Sequence, residues 1–190
     1  MRMDKLANSG NDEFYTPLYA IEPIEKYLQP NSDIWCPFDL PDSYYVKFLE
    51  AKGHRVIATH IQRNQDFFDI IESDIADSCD YIISNPPYSM KTEVLEALFD
   101  SGKRFAMLLG VVGLFESQKR FTMFRDNTFE VMYFNKRVSY MKDYDSGKTA
   151  VNPPFSSVYI TSNILPEKIV FEEIDKKNVI FKPTNIYQNN

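Results

Sequence analysis

Four short apolar runs separated by amphipathic stretches constrain this chain more than any other feature. "DIWCPF" (33–38), "RVIATHI" (55–61), "YIIS" (81–84) and "RFAMLLGVVGL" (104–114) have the length and β-branched content of buried strands. Between the first two, Asp42 or Ser43 is placed to cap a helix that runs through Val46, Phe48 and Leu49 to Gly53, a residue free to adopt the left-handed stop. Between the last two, a helix is predicted over Thr92–Asp100, with Val94, Leu95 and Leu98 on one face. An earlier helix is predicted over Tyr19–Leu28, with Ile21, Ile24 and Leu28 in register and Pro23 in its opening turns. Strand, helix, strand closes as a right-handed crossover, so the repetition predicts a mostly parallel α/β sheet with helices on both faces. After Phe121 the pattern changes to "FEVMYF", "FSSVYITS" and "KIVFEEI", which predict an antiparallel edge to the same sheet of about seven strands.

With 190 residues, 44% of them hydrophobic, the chain holds one core, here expected over residues 1–182 with a polar tail at 183–190. A net charge of −6 argues against holding nucleic acid by the overall field. That task falls to a local stretch, Lys119, Arg120 and Arg125 with Lys136, Arg137 and Lys142, which reads equally as solvated faces of a helix and a strand. Cys36 and Cys79 offer no disulfide framework, and with only His54 and His60 beside them no zinc set is expected. No apolar run approaches the roughly 20 residues of a membrane span, and the expectation is a cytoplasmic protein with no membrane or metal partner.

The chemistry-bearing stretch is Asn85-Pro86-Pro87-Tyr88, directly after "YIIS". Open α/β sheets bind ligands beyond the carboxyl ends of their strands. Two consecutive prolines fix two φ angles and remove two backbone donors, leaving oxygens that only accept. An exocyclic base amine has two hydrogens; accepting both, from Asn85 and the Pro86 carbonyl, would turn its lone pair toward an electrophile while Tyr88 stacks on the ring. The alternative is a stiff turn whose tyrosine packs on the core.

"NPPY" resembles the catalytic motif of the amino-methyltransferases, above all the adenine-specific DNA methylases that use S-adenosylmethionine, and the likeness extends along the chain to small phage and prophage enzymes. "DEFYTP" (12–17) resembles the cofactor-side motif before the first helix, "CPFD" (36–39) lies where the family has its cofactor loop, and "QDFFD" (65–69) resembles the segment that contacts the cofactor's adenine. The resemblance implies a Rossmann-like class I methyltransferase fold. It implies that Phe14, Tyr15, Thr16 and Pro17 line one side of S-adenosylmethionine, Phe38 and Asp39 its methionine end and Asp66 and Phe67 its adenine end, with Cys36 and Pro37 on the same cofactor loop. His60, at a strand's carboxyl end, reads equally as a cofactor contact and as a polar cap on the sheet. Catalysis would rest on Asn85, Pro86, Pro87 and Tyr88, with DNA as substrate, RNA as the alternative, and a protein partner for target recognition as a further option.

Two departures stand out. Leu40, Pro41 and Asp42 occupy positions where small residues normally let the backbone approach the cofactor, and His60 stands where the family usually carries a ribose-binding acid. They keep open a catalytically silent methyltransferase fold that binds nucleic acid or protein. Within the enzyme class, methylation of a protein glutamine is the other alternative, because a primary amide presents a similar planar NH2 and the glutamine methyltransferases also use N-P-P-Y. A second "NPPF" (152–155) enters a strand instead of leaving one, which favours a stiff connection over a border to the target pocket. Residues 142–152 read as a mobile polar loop.

Overall fold

The computed structural model describes residues 14–144, Thr149 and 153–182. Asp12, Glu13, Asn152, much of the polar loop and the tail 183–190 lie outside the described residues. The element order is α1 (Leu18–Glu25), β1 (Asp33–Cys36), α2 (Tyr44–Ala51), β2 (Arg55–Ala58), α3 (Phe67–Ile70), α4 (Asp74–Ser78), β3 (Tyr81–Ser84), α5 (Lys91–Ser101), β4 (Phe105–Gly110), α6 (Gln118–Asp126), β5 (Glu130–Phe134), β6 (Ser157–Ser162) and β7 (Ile169–Glu172). Single 3-10 turns lie at Ile61–Arg63 and Tyr88–Met90. Helix α1 ends at Glu25, short of the predicted Leu28, and the chain is already turning at Tyr27 and Leu28.

The seven strands form one sheet in the order β2-β1-β3-β4-β6-β5-β7. β1 pairs in parallel with both β2 and β3, so the chain leaves β1 toward one edge and returns to build the other half from β3. The gap between the ends of β1 and β3 is therefore the switch point of the sheet, where loops diverge and a crevice opens. The expected antiparallel edge is corrected. The one reversed strand, β6, lies inside the sheet between β4 and β5, and the edge strand β7 runs parallel to β5. Burial explains the placement: all six residues of β6 are buried, whereas Ile169 and Phe171 of β7 are exposed. A strand that apolar on both faces is driven inside.

Two hydrophobic clusters cover the two faces. One gathers α1 and α2 against Ile34, Ile83, Leu108 and Tyr159; the other gathers α5 and α6 against Trp35, Ile82, Met107 and Ile160. Alternate residues of each strand thus serve opposite clusters, as the pleat requires, and each fully buried Ile or Leu contributes about 1.5–3 kcal/mol. Ser43, in extended conformation, accepts from the Val46 N–H and starts α2, while Gly53 (φ +93°) turns the chain into β2.

Because β6 is reversed, its first residues lie beside the last residues of β4, with Ser157 opposite Gly110. The "NPPF" connection therefore meets the same rim as "NPPY", contrary to the inference from strand direction alone. Phe155 packs edge-on to Tyr88 with centroids 5.7 Å apart. Gly110 makes room for this contact, since a Cβ there would come within 2.9 Å of the Phe155 ring and 3.3 Å of Tyr88. Gly110→Ala is expected to lower stability by about 1–3 kcal/mol through overpacking, read as a lower urea midpoint with an unchanged slope.

Candidate active site

The loops at the switch point enclose a cavity of about 220 Å³, room for an organic ligand rather than one or two waters, which take about 30 Å³ each. Its walls come from four places distant in sequence. The segment before α1 contributes Phe14, Tyr15 and Thr16; the β1 loop contributes Pro37, Phe38, Asp39 and Leu40; the stretch after β2 contributes His60, Gln65, Asp66 and Phe67; and the β3 corner contributes Asn85 and Pro87. Nine of the eleven residues expected at the cofactor site line this one cavity. Pro17 and Cys36 do not: Pro17 is the cap residue of α1, and Cys36 is fully buried in the core, where burial pushes its thiol pKa up.

Local structure explains each wall. Phe67 begins α3, is capped by Asp66 whose Oδ1 accepts from the Phe68 N–H at 2.9 Å, and leans on Trp35 (5.7 Å, stacked) and Phe38 (5.0 Å). Trp35 is held from behind by its Nε1–H to Thr59 Oγ1 at 2.8 Å. His60 Nδ1 accepts from the Gln62 N–H, which fixes the 3-10 turn that brings Gln65 to the cavity. The residues before α1 are tied across the rim: Tyr15 bridges Met141, whose N–H donates to the Tyr15 carbonyl at 2.8 Å, and the ring of Tyr144 meets Tyr15 and Tyr44 at 4.9 and 4.4 Å. Tyr144 lines the cavity from within the loop expected to be mobile. One aromatic ring among polar neighbours was the only sequence signal for that role.

The electrostatics are one-sided. Asp39, Asp42 and Asp66 line the cavity, and among the described residues no Lys or Arg does. Asp39 is 7% exposed; burial raises its carboxyl pKa to about 6, against the hydrogen bonds from Ser84 and Ser43, and Ser84 Oγ donates to its Oδ2 at 2.5 Å. Two buried side-chain oxygens have no hydrogen-bond partner among the described residues, Asn85 Oδ1 and Gln65 Oε1, and both residues line this cavity. An orphaned buried acceptor costs about 1–3 kcal/mol. Two of them in one chamber, beside three carboxylates, suit a ligand that brings hydrogen-bond donors and positive charge. Gln65 was part of the "QDFFD" resemblance, yet nothing in the sequence separated it from Asp66 and Phe67.

At the β3 corner, Asn85 Nδ2 donates to the Phe14 carbonyl at 2.9 Å, which fixes the amide so that Oδ1 is left over. Pro86 is buried, and Pro87 borders the cavity. Tyr88 turns away from it. Its hydroxyl shares a 2.5 Å hydrogen bond with Tyr140, which is itself bonded to Ser157 at 2.9 Å, and its ring contacts Phe14 at 5.1 Å. The motif thus divides, with Asn85 and Pro87 on the cavity and Tyr88 in an aromatic cluster behind it.

Among the basic residues, Lys119 pairs with Glu96 and Arg125 with Asp126, and Arg120 is held by the Leu114 and Gly113 carbonyls and Thr92. Lys136 and Lys176 find no carboxylate among the described residues; they donate to the Ile174 carbonyl (3.2 Å) and Ser139 Oγ (2.9 Å). Burial, then Lys136 and Arg137, lower the Lys176 pKa, the mark of a cation cluster. It follows the carboxyl ends of β5 and β7, on the rim that carries the cavity.

Fold and site together define a mostly parallel α/β protein with an acceptor-lined cavity at its switch point. No helix among the described residues is long and apolar enough to cross a membrane, and no cluster of three His, Cys, Asp or Glu side chains there is arranged to hold a metal. Compared with family models, with curated proteins and with solved structures, the chain finds no match in any of the three.

Proposed function

We propose that this protein is a class I-type methyltransferase that transfers a methyl group from S-adenosylmethionine to the exocyclic amine of adenine in nucleic acid, with DNA the favoured substrate. The observation that carries the reading is Asn85 Oδ1, a buried acceptor with no partner among the described residues, oriented by the Phe14 carbonyl on a corner whose two prolines bring no N–H. Such a corner stabilises an amine more as its nitrogen becomes tetrahedral than while it is planar.

The residues present fit the cofactor, which when bound supplies an electrophilic methyl group on a positively charged sulfur. Asp39 would offset that charge, Phe38 and Phe67 would pack on the apolar parts, and Gln65 Oε1 would accept from a ring amine beside Asp66. Asn85 Oδ1 and the Pro86 carbonyl would accept the two hydrogens of the target amine. Held there, the amine nitrogen would be free to take the methyl group, with the electron pair of the broken bond left on sulfur and the surplus proton passed to water. A base taken from a duplex costs a few kcal/mol to unstack, which single strands largely avoid.

The cation cluster supports a nucleic-acid substrate. Lys26, Lys52, Arg55 and Lys103 elsewhere each meet a carboxylate, whereas Lys136, Arg137 and Lys176 gather on the active rim of a protein with net charge −6. Replacing Lys136 and Arg137 together by Gln is expected to weaken oligonucleotide binding and to reduce the salt slope by about 2, with cofactor affinity unchanged. Fluorescence anisotropy across a salt series measures it.

Leu40, Pro41 and Asp42 in the β1 loop, together with the engaged hydroxyl of Tyr88, favour a second reading, a silent binding module of the same fold. Calorimetry with S-adenosylmethionine separates the two. Stoichiometric binding supports the enzyme, and no heat at millimolar cofactor withdraws it. A glutamine side chain presents the same planar NH2, so protein substrates belong beside DNA and RNA in the transfer assay.

A further inference from the structure

Strand β7 closes one end of the sheet and, among the described residues, pairs with β5 alone. The carbonyls of Lys168 and Glu172 accept from Val131 and Asn135 of the β5 segment. In a parallel ladder the intervening residues then aim their N–H and C=O groups the other way, so Ile169 and Phe171 present two donors and two acceptors outward. Their side chains are open as well: Phe171 is 80% exposed and Ile169 54%, and Phe171 stacks on Tyr133 at 5.9 Å. Free edges of this kind are ordinarily blunted by proline, a bulge or an inward charge. "IVFE" has no proline and no bulge, its register with β5 is unbroken over four residues, and its one charge, Glu172, is already bound to Lys26 and Tyr27 on the helix side. A groove lined by Phe115, Phe129, Tyr133 and Ile169 continues the apolar surface next to it.

We propose that β7 is a homodimer interface, in which two copies pair β7 with β7 antiparallel across a two-fold axis and extend the sheet through both molecules. The strand is self-complementary in one register. Centred on Val170, it sets Ile169 opposite Phe171 of the second copy and Phe171 opposite Ile169. These are the residues whose backbone groups point outward, so each pair exchanges both of its N–H···O bonds. The same register brings Lys168 opposite Glu172 of the second copy, twice over, so that opposite and not like charges face each other across the seam, Lys168 adding to the Lys26 contact that Glu172 already makes. This complementarity favours a copy of this chain over an unrelated strand. Val170 meets its own mate at the non-bonded position, where Cα atoms approach to about 4.5 Å. The dimer does not depend on the methyltransferase reading, because β7 lies at the end of the sheet that β2 opposes and the cavity sits between β1 and β3.

Sedimentation of the full chain between 1 and 100 μM tests this, with far-UV circular dichroism to confirm that each variant folds. The wild type is expected at twice its 22.2 kDa. Phe171→Lys and Phe171→Pro are expected to raise the dissociation constant at least tenfold; the proline removes an outward N–H and leaves the ladder to β5 intact. Val170→Cys is expected to form a disulfide-linked dimer without reductant, since the native Cys36 and Cys79 are both buried. A wild type that stays monomeric at 100 μM overturns the proposal, including the case in which the chain's own termini cover the edge. So does a dimer that Phe171→Lys leaves equally tight, or a Val170→Cys variant that fails to cross-link.

Discussion

Asn85→Ala is expected to lower methyl transfer by about 10²–10³-fold, the range found when one preorganised polar contact to a reacting group is deleted, and to leave the fold intact. The stability effect distinguishes this from general damage. The substitution removes the Nδ2 bond to the Phe14 carbonyl, worth about 0.5–1.5 kcal/mol, and also the unpaired Oδ1, whose burial costs about 1–3 kcal/mol. These oppose each other, so the melting temperature is expected to hold or to rise slightly. Cofactor affinity should change little, because the lost interaction is to the target amine. An alanine variant that turns over at the native rate would remove the role assigned to Asn85, and one that unfolds would show that its bond to Phe14 holds the rim together.

Asp39→Asn is expected to separate stability from binding. Burial raises the Asp39 carboxyl from its ordinary value of 3.8 to about 6, despite the hydrogen bonds from Ser84 and Ser43. Below pH 3.8 the group is neutral in both folded and unfolded chains, and the protein keeps all of the stability this neutrality allows. As pH rises the unfolded chain ionises first, stability falls, and above about pH 6 the loss is complete at about 3 kcal/mol, from two pKa units of roughly 1.4 kcal/mol each. Asparagine has no such titration and still offers an oxygen to Ser84. At pH 8 the variant should therefore be more stable by up to about 3 kcal/mol, roughly 5–10 °C in melting temperature. Its affinity for a cationic cofactor should fall at least tenfold. In the wild type, that affinity should weaken by about tenfold for each pH unit below 6, measured by calorimetry. Equal binding at pH 5 and pH 8 would show that the ionised carboxylate takes no part.

The parallel half of the fold was legible because its signals are local: "YIIS" is β3 residue for residue, and Ser43 and Gly53 bracket α2 as capping chemistry requires. The interior position of β6 was not. Strand pattern records burial but not direction, and only tertiary pairing revealed that a strand reversed between β4 and β5 returns Phe155 to the rim beside Tyr88. The short helices α3 and α4 went unread for a related reason, since four or five residues are too few to show a period. At the site, the segments that carry the methyltransferase resemblance supply most of the cavity wall, because loops after parallel strands converge whatever lies between them. Tyr144 and the unpaired oxygen of Gln65 depended on side-chain placement across distant segments, which composition and spacing do not encode. The Tyr88 hydroxyl belongs to the same class. Its bond to Tyr140 joins positions 52 residues apart.

The most direct test of an amine-activating corner uses two oligonucleotides that differ in one group. One carries a single adenine; in the other that base is purine, identical but for the missing exocyclic amine. With methyl-labelled S-adenosylmethionine and the wild-type protein, label is expected on the amine nitrogen of the first oligonucleotide and none on the second. Label on both, or none on either once calorimetry has shown the cofactor bound, would contradict the account.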